Sequence, residues 1–247
     1  MMRGCFLWLD RMAGASVRSK GMTAGFVIAV CLILRGLGSA ADEAIEARQL
    51  VEKARFTLEN FVADPNMAAL RDLLKNAKGI FIAPQILKGA FVLGASGGSG
   101  VFLAREQNTG KWSQPAFYTL GGVSFGLQAG GEASEVMLVV TSDRGISAML
   151  SNNFKLGADA SFALGPVGAG VGGATAALSA DIVAFSRSKG LYGGVSLDGS
   201  VIAVRDSWNQ AYYGKSVTPT DILVHRDARN PESSALIDAV AKASSAR

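Results

Sequence analysis

The stretch AFSRSKGLYGGVSLDG, residues 184–199, decides how the rest of the chain is read. Ile182, Val183 and Phe185 lead into it, and Val195, Leu197, Val201, Ile202 and Val204 follow it. β-Forming residues therefore alternate with small or polar ones around Gly190, Gly193 and Gly194, the pattern of a β-hairpin turning at Gly190. The same grammar extends upstream. GIFIAP (79–84), FVLGAS (91–96), VFLARE (101–106), AFYTLG (116–121), SFGLQAG (124–130) and EVMLVVTS (135–142) are short β-prone runs parted by glycine or polar turns. That spacing predicts an antiparallel meander, not alternating βαβ units. FKLGADASFALG continues it, with Phe154, Leu156, Ala158 and Ala160 on one face; residues 162–180, uncharged and glycine-rich, read as a loop or close-packed hairpin.

Before Ile80 the period is helical. Ala47, Leu50, Val51, Ala54, Leu58 and Phe61 recur at steps of three and four, which predicts an amphipathic helix from Asp42, its N-cap, to Val62. Asp64-Pro65 ends it, and Asn66 opens a second helix carrying Leu70, Leu73, Leu74 and Ala77 on one face, ended by Gly79. A short helix is expected over Asp143–Leu150, a turn or single helical turn over Trp208–Gly214, and a C-terminal helix from Pro231 to about Lys242. The fold class is α+β: two leading helices, a mainly antiparallel β domain of barrel or sandwich type, and a closing helix.

Charge is unevenly placed. The chain holds 24 Lys and Arg against 20 Asp and Glu, but residues 1–41 contain five of the basic and one of the acidic side chains, so 19 of each remain. A neutral domain gives no footprint for nucleic acid. Arg18 and Lys20 precede an apolar run from Met22 to Leu34, with Gly38-Ser39-Ala40 behind it, so residues 1–41 read as an export signal cleaved after Ala40 or Ala41. The run is shorter than the roughly 20 residues of a permanent span. Met12 opens a more typical leader than Met1, and Cys31 follows the bulky Val30 where a lipidation site carries a small residue. Both cysteines, Cys5 and Cys31, lie in the leader. Residues 42–247, about 206 in number, form a single exported domain, periplasmic or secreted, without disulfide or thiolate metal site.

Gly122-Val123-Ser124-Phe125-Gly126 matches the nucleophile elbow of α/β-hydrolases, and Asp206 or Asp221 with His225 would complete the order of a triad. An elbow needs a helix behind the serine, and LQAGGEASEVMLVV is strand-like instead. His225 is the only histidine, which removes sites built on two. Ser186-Arg187-Ser188-Lys189 has the S-x-x-K spacing of penicillin-recognising enzymes without their partner motifs. Gly214-Lys215-Ser216 and the glycine-rich Gly94–Gly100 run lack the spacing of a phosphate loop and read as turns. No catalytic, cofactor or metal site emerges.

Cations remain. Lys53, Arg55, Arg71, Lys75, Lys78 and Lys88 lie on or just after the leading helices, beside Leu70, Leu73, Leu74, Ile80, Phe81 and Ile82. Such a surface suits an acidic membrane, where each Lys or Arg contributes about 1 kcal/mol. It is also the ordinary solvated face of helices docked on a sheet, diluted by Glu43, Glu46, Glu52 and Glu59.

The stretch 184–199 resembles the phrase YSRSKGLFGGVSLEG of the SYLF family, also called the Ysc84 actin-binding domain family. LLKNAKGIFIAP (73–84), KGAFVLG (88–94), GKWSQPAFY (110–118), LQAGGE (127–132), FKLGADAS (154–161), GPVG (165–168) and YYGKSVTP (212–219) follow in family order, covering about residues 50–225. The resemblance implies a non-catalytic module that binds phosphoinositides or other acidic phospholipids, and for some members actin. By position it points to Lys75, Lys78 and Lys88 as lipid-binding residues, and the cations of the leading helices add Arg71 and Lys53 to the candidate lipid-binding set. An actin-like partner would not meet an exported chain in its own cell. The rival readings are a structural envelope protein acting through protein contacts and a serine hydrolase using Ser124.

Overall fold

The computed structural model describes residues 20–90, 93–125, 130–165, 179–188, 197 and 199–245. The chain divides into two units, Met1–Asp42 and Glu43–Arg247, and the second carries the fold. The helices of the described residues are α1 (Lys20–Ala63), of which Glu43–Ala63 belongs to the second unit, α2 (Ala68–Lys75), α3 (Asp143–Leu150), α4 (Asp206–Tyr213) and α5 (Ser234–Ser245). The strands are β1 (Gly79–Ala90), β2 (Leu93–Ala104), β3 (Ala116–Phe125), β4 (Gly130–Val140), β5 (Asn153–Lys155), β6 (Phe162–Leu164), β7 (Ile182–Ser188) and β8 (Val201–Val204). They form one sheet in the order β5-β8-β3-β2-β1-β4-β7-β6, antiparallel except for the β6–β7 pair. The architecture is α+β, with leading helices, a curled half-barrel sheet and a closing helix.

Both faces of this sheet are covered. Along β1, Ile80 and Ile82 join Leu58 and Phe61 of α1, Leu70 and Leu74 of α2, and Leu236 and Val240 of α5 in one core. Phe81 and Ala83 turn the other way, into a second core with Tyr118, Leu138, Met149 of α3 and Ile222. Burial on two sides explains why Ile80–Ala83 of β1, Val101–Ala104 of β2 and Val136–Val140 of β4 read as unbroken apolar runs rather than as alternation. Several buried polar groups find partners across the fold. Asn209 Oδ1 accepts from the Phe117 amide at 2.9 Å, Tyr118 Oη donates to the Met149 carbonyl at 2.6 Å, and Trp112 Nε1 donates to Ser244 Oγ at 3.1 Å.

Several expectations are corrected. The strands flanking 184–199 are not partners: β7 pairs with β4 and β6, whereas β8 pairs with β3 and β5. The turn itself, with Gly190, Gly193 and Gly194, lies outside the described residues, as does most of 162–180. Leu93–Ser96 of the first run and Val101–Ala104 of the next belong to one strand, so the Gly94–Gly100 run is strand interior rather than turn. Its cause is in β1, where the proline ring of Pro84 supplies no amide to a ladder. There β1 carries an extra residue, with Pro84 and Gln85 set against Glu135 alone. The strand over FKLG stops at Lys155, because Asp159 Oδ2 takes the Lys155 amide at 2.7 Å and turns the chain, leaving Ala158 exposed and only Phe154, Leu156 and Ala160 buried. Asp42 sits within α1 and caps nothing there, and Asp64, not Asn66, caps the turn that precedes α2 by accepting the Asn66 amide at 2.9 Å. Helix α2 ends at Lys75, and Gly79 begins β1 instead of stopping the helix.

Candidate functional site

Helix α1 presents two stripes. Ala47, Leu50, Val51, Ala54, Leu58 and Phe61 are buried against the sheet. Ile45, Gln49, Lys53, Phe56 and Asn60, at steps of four, four, three and four, share the flank beside them. On this flank Ile45 is 51% and Phe56 52% exposed, although both are large and apolar. Arg55 lies over the Phe56 ring, 4.1 Å from its centre, and is paired with Glu59 at 2.8 Å and Glu52 at 3.3 Å, the Glu59 bond chiefly holding its pKa up. Lys53 is exposed and has no carboxylate within 4 Å among the described residues.

A cleft of about 740 Å³ opens beside this flank, its wall formed by Phe56, Thr57 and Lys53 and its other side by Pro84, Gln85 and Glu135. The two β1 residues set against Glu135 at the bulge, Pro84 and Gln85, thus form its sheet side. Arg187 lines the cleft too, but its charge is taken: Nε donates to Glu135 at 2.9 Å, and Thr57 Oγ1 donates to the same carboxylate at 3.3 Å. Lys53 also lines a second cavity, of about 370 Å³, that leads to Arg205 and Trp208. It stands at the junction of both.

The other candidate cations are not gathered here. Arg71 closes the end of α1, donating to the carbonyl of Val62 at 3.1 Å, one of those a helix C-terminus leaves unbonded, and to that of Asp64, just beyond the helix, at 2.6 Å. Lys75 pairs with Asp72 at 2.9 Å, and Lys78 with Asp143 at 2.7 Å. Lys88 is ten residues beyond Lys78 on β1, roughly 33 Å along an extended strand, and stands opposite Glu132 in the ladder. Lys75 and Lys78 thus lie near one end of β1, Lys88 near the other, and Lys53 on α1. Sequence reading overlooked Ile45 and Phe56, yet a signal was present: both fall outside the buried stripe of an otherwise well-patterned helix.

The residues that suggested catalysis are placed otherwise. Ser124 lies in β3 opposite Gly94, and only four residues separate the end of β3 from the start of β4, too few for the helix an elbow needs. His225 is exposed at the end of a π-helical turn, Asp221–His225. Asp221 is committed to the Thr218 hydroxyl and amide, at 2.7 and 2.8 Å, which hold its carboxyl below the usual range. Gly214 closes α4, a two-turn helix where a single turn was expected, and Lys215 Nζ donates to the Asp227 carbonyl at 2.8 Å. Among the described residues no three His, Cys, Asp or Glu side chains come together as a metal site requires.

A family model described as "Las17-binding protein actin regulator", Ysc84, matches residues 121–243, from the last part of β3 into α5. Residues 121–243 of this chain form a Ysc84-family domain. Human "SH3 domain-containing YSC84-like protein 1" is 34% identical over 153 residues, which cover 61% of this chain and 44% of that protein. "LAS seventeen-binding protein 3" of Saccharomyces cerevisiae is 33% identical over 177 residues, 70% of this chain and 38% of that protein. The chain therefore spans less than half the length of these curated Ysc84 relatives. The name of the yeast relative describes a binding protein, and the family description names an actin regulator. Within the matched Ysc84 stretch lie Glu135, Arg187, Arg205 and Trp208; the α1 flank precedes it.

Proposed function

We propose that this chain is a non-catalytic binding module that docks on acidic phospholipid membranes through the outer flank of α1. The observation that carries the reading is the stripe itself: two large apolar side chains, Ile45 and Phe56, half-exposed on either side of Lys53, a lysine without an ion pair among the described residues. Interfacial helices use this arrangement, with apolar groups entering the acyl boundary and cations meeting the headgroups. Lys75 and Lys78 are already neutralised by Asp72 and Asp143, which favours α1 over the start of β1 as the contact.

Co-sedimentation of the full chain with phosphatidylcholine vesicles, with and without phosphatidylglycerol, tests it. The wild type is expected to pellet with the acidic vesicles and the Ile45→Asp, Phe56→Asp double variant to stay in solution. A double variant that pellets as the wild type does overturns α1 as the docking surface. The relatives' names support a second reading, a protein partner of the actin-regulatory kind, in which the same stripe enters an apolar groove. No binding to either vesicle, with the fold intact, would favour that reading.

A further inference from the structure

Arg205 is the cation whose surroundings are least complete. It stands just before α4, half-buried, with Nη1 donating to Ser99 Oγ of β2 at 2.7 Å and its guanidinium carbon 3.6 Å from the centre of the Trp208 ring. Stacking and one hydrogen bond leave most of its five N–H donors without an acceptor, and no carboxylate among the described residues comes within 4 Å. Burial lowers its pKa, an effect opposed by the more distant Glu46 and Glu43. The indole Nε1–H of Trp208, 6% exposed, also has no partner among the described residues. A partly desolvated guanidinium without a counter-charge is unfavourable unless an anion meets it.

The cavity of about 370 Å³ beside it supplies the rest: Lys53 and Gln49 from α1, Ser99 from β2. Among the described residues Glu46 is the one carboxylate on this wall, so their lining carries two positive charges against one negative. We infer that this cavity is a phosphate site, in which Arg205 and Lys53 hold a phosphate group and Ser99 and Gln49 donate further hydrogen bonds. A planar guanidinium already fixed by stacking and by Ser99 is organised for two parallel bonds to phosphate oxygens. The net charge of the wall suits a group of low charge, and Glu46 accepts from a hydroxyl on its carrier. The inference does not require the membrane reading, because a soluble phosphate ester would satisfy the same donors.

The test is thermal melting of the full chain in inorganic phosphate against sodium chloride of equal ionic strength, together with binding to phosphatidylglycerol vesicles, for the wild type, Arg205→Gln and Lys53→Gln. Lys53 is exposed, so its variant keeps the fold even if the Arg205 variant does not. Phosphate should raise the wild-type melting temperature, with apparent affinity about tenfold weaker in each variant, as loss of a charge-assisted bond implies. If free phosphate does nothing but vesicle binding falls in both variants, the group belongs to a lipid headgroup. A phosphate effect with vesicle binding indifferent to Arg205→Gln assigns a soluble ester. Stabilisation that survives both substitutions, or no response in either assay, overturns the site. Loss of vesicle binding on Ile45→Asp, Phe56→Asp with phosphate stabilisation retained would separate this site from the docking stripe.

Discussion

The carbonyl oxygen of Gln85 occupies the space that a Cβ on Gly98 would need. Gln85 is there because Pro84 breaks the β1 ladder and the extra residue turns its carbonyl across towards β2. Gly98→Ala must push backbone, not a pliable side chain, and should cost about 2 kcal/mol or more. At Gly97 the nearest atom to an added Cβ is the Leu120 oxygen at 3.8 Å, an ordinary contact, so Gly97→Ala should be near neutral. Denaturant midpoints of the two variants check this. Equal midpoints would show that the bulge yields.

The glycine run shows what a local reading misses. Its composition suggests turns; its actual cause is a proline ten or more residues away in sequence, visible only once β1 and β2 are paired. The same applies at 184–199. β7 and β8 were legible as strands from Ile182, Val183, Phe185 and Val201, Ile202, Val204, but their partners β4 and β3 are chosen by non-local packing. The helices were easier, because the burial of Leu50, Leu58 and Phe61 repeats within α1 itself. Of the candidate site, Lys53 was readable as an exposed cation. Arg71 was not readable as a cap, since its acceptors depend on the bend at Asp64-Pro65, and nothing in RDSW marks Arg205 as stacked on Trp208.

Asp181 ties three elements together. It accepts from the hydroxyl of Ser142, which caps α3, and from the hydroxyl and amide of Ser161 before β6, at 2.7 and 2.9 Å. The Ser142 bond first, then those of Ser161, hold its carboxyl below the ordinary range, and its side chain is only 13% exposed. A depressed native pKa stabilises fully above the unfolded value of about 3.9, and that stabilisation is lost as pH falls through the lower native value. Asp181→Asn should therefore cost about 1–3 kcal/mol at neutral pH. The gap to wild type should close below about pH 4. A gap constant from pH 7 to pH 2 would contradict the assignment.

We predict that the chain is exported and cut after Ala40 or Ala41. Helix α1 starts at Lys20, so this cut removes its first half and leaves Asp42 at the new end, where the carboxylate meets the exposed amides. Intact mass of protein recovered from the cell envelope decides between this product, an uncut chain, and one that keeps Cys31 with an acyl group.

Charge reversal separates the two possible membrane faces. With the leader removed, basic and acidic residues balance at 19 each, so binding to acidic vesicles must come from where charge is placed, not from its total. Lys53 is unpaired among the described residues, and Lys53→Glu exchanges one attraction for one repulsion, about 2 kcal/mol or thirtyfold in affinity at about 1 kcal/mol per charge. Lys75 and Lys78 are offset by Asp72 and Asp143, so Lys75→Glu with Lys78→Glu should weaken binding far less. Wild-type binding should also fall between 0.1 and 1 M salt, as the Debye length shrinks from about 10 to about 3 Å. Vesicle co-sedimentation with circular dichroism as the control for folding reads all three. If the Lys75, Lys78 double variant loses binding and Lys53→Glu keeps it, the membrane meets the connection between α2 and β1, and the stripe on α1 faces something else.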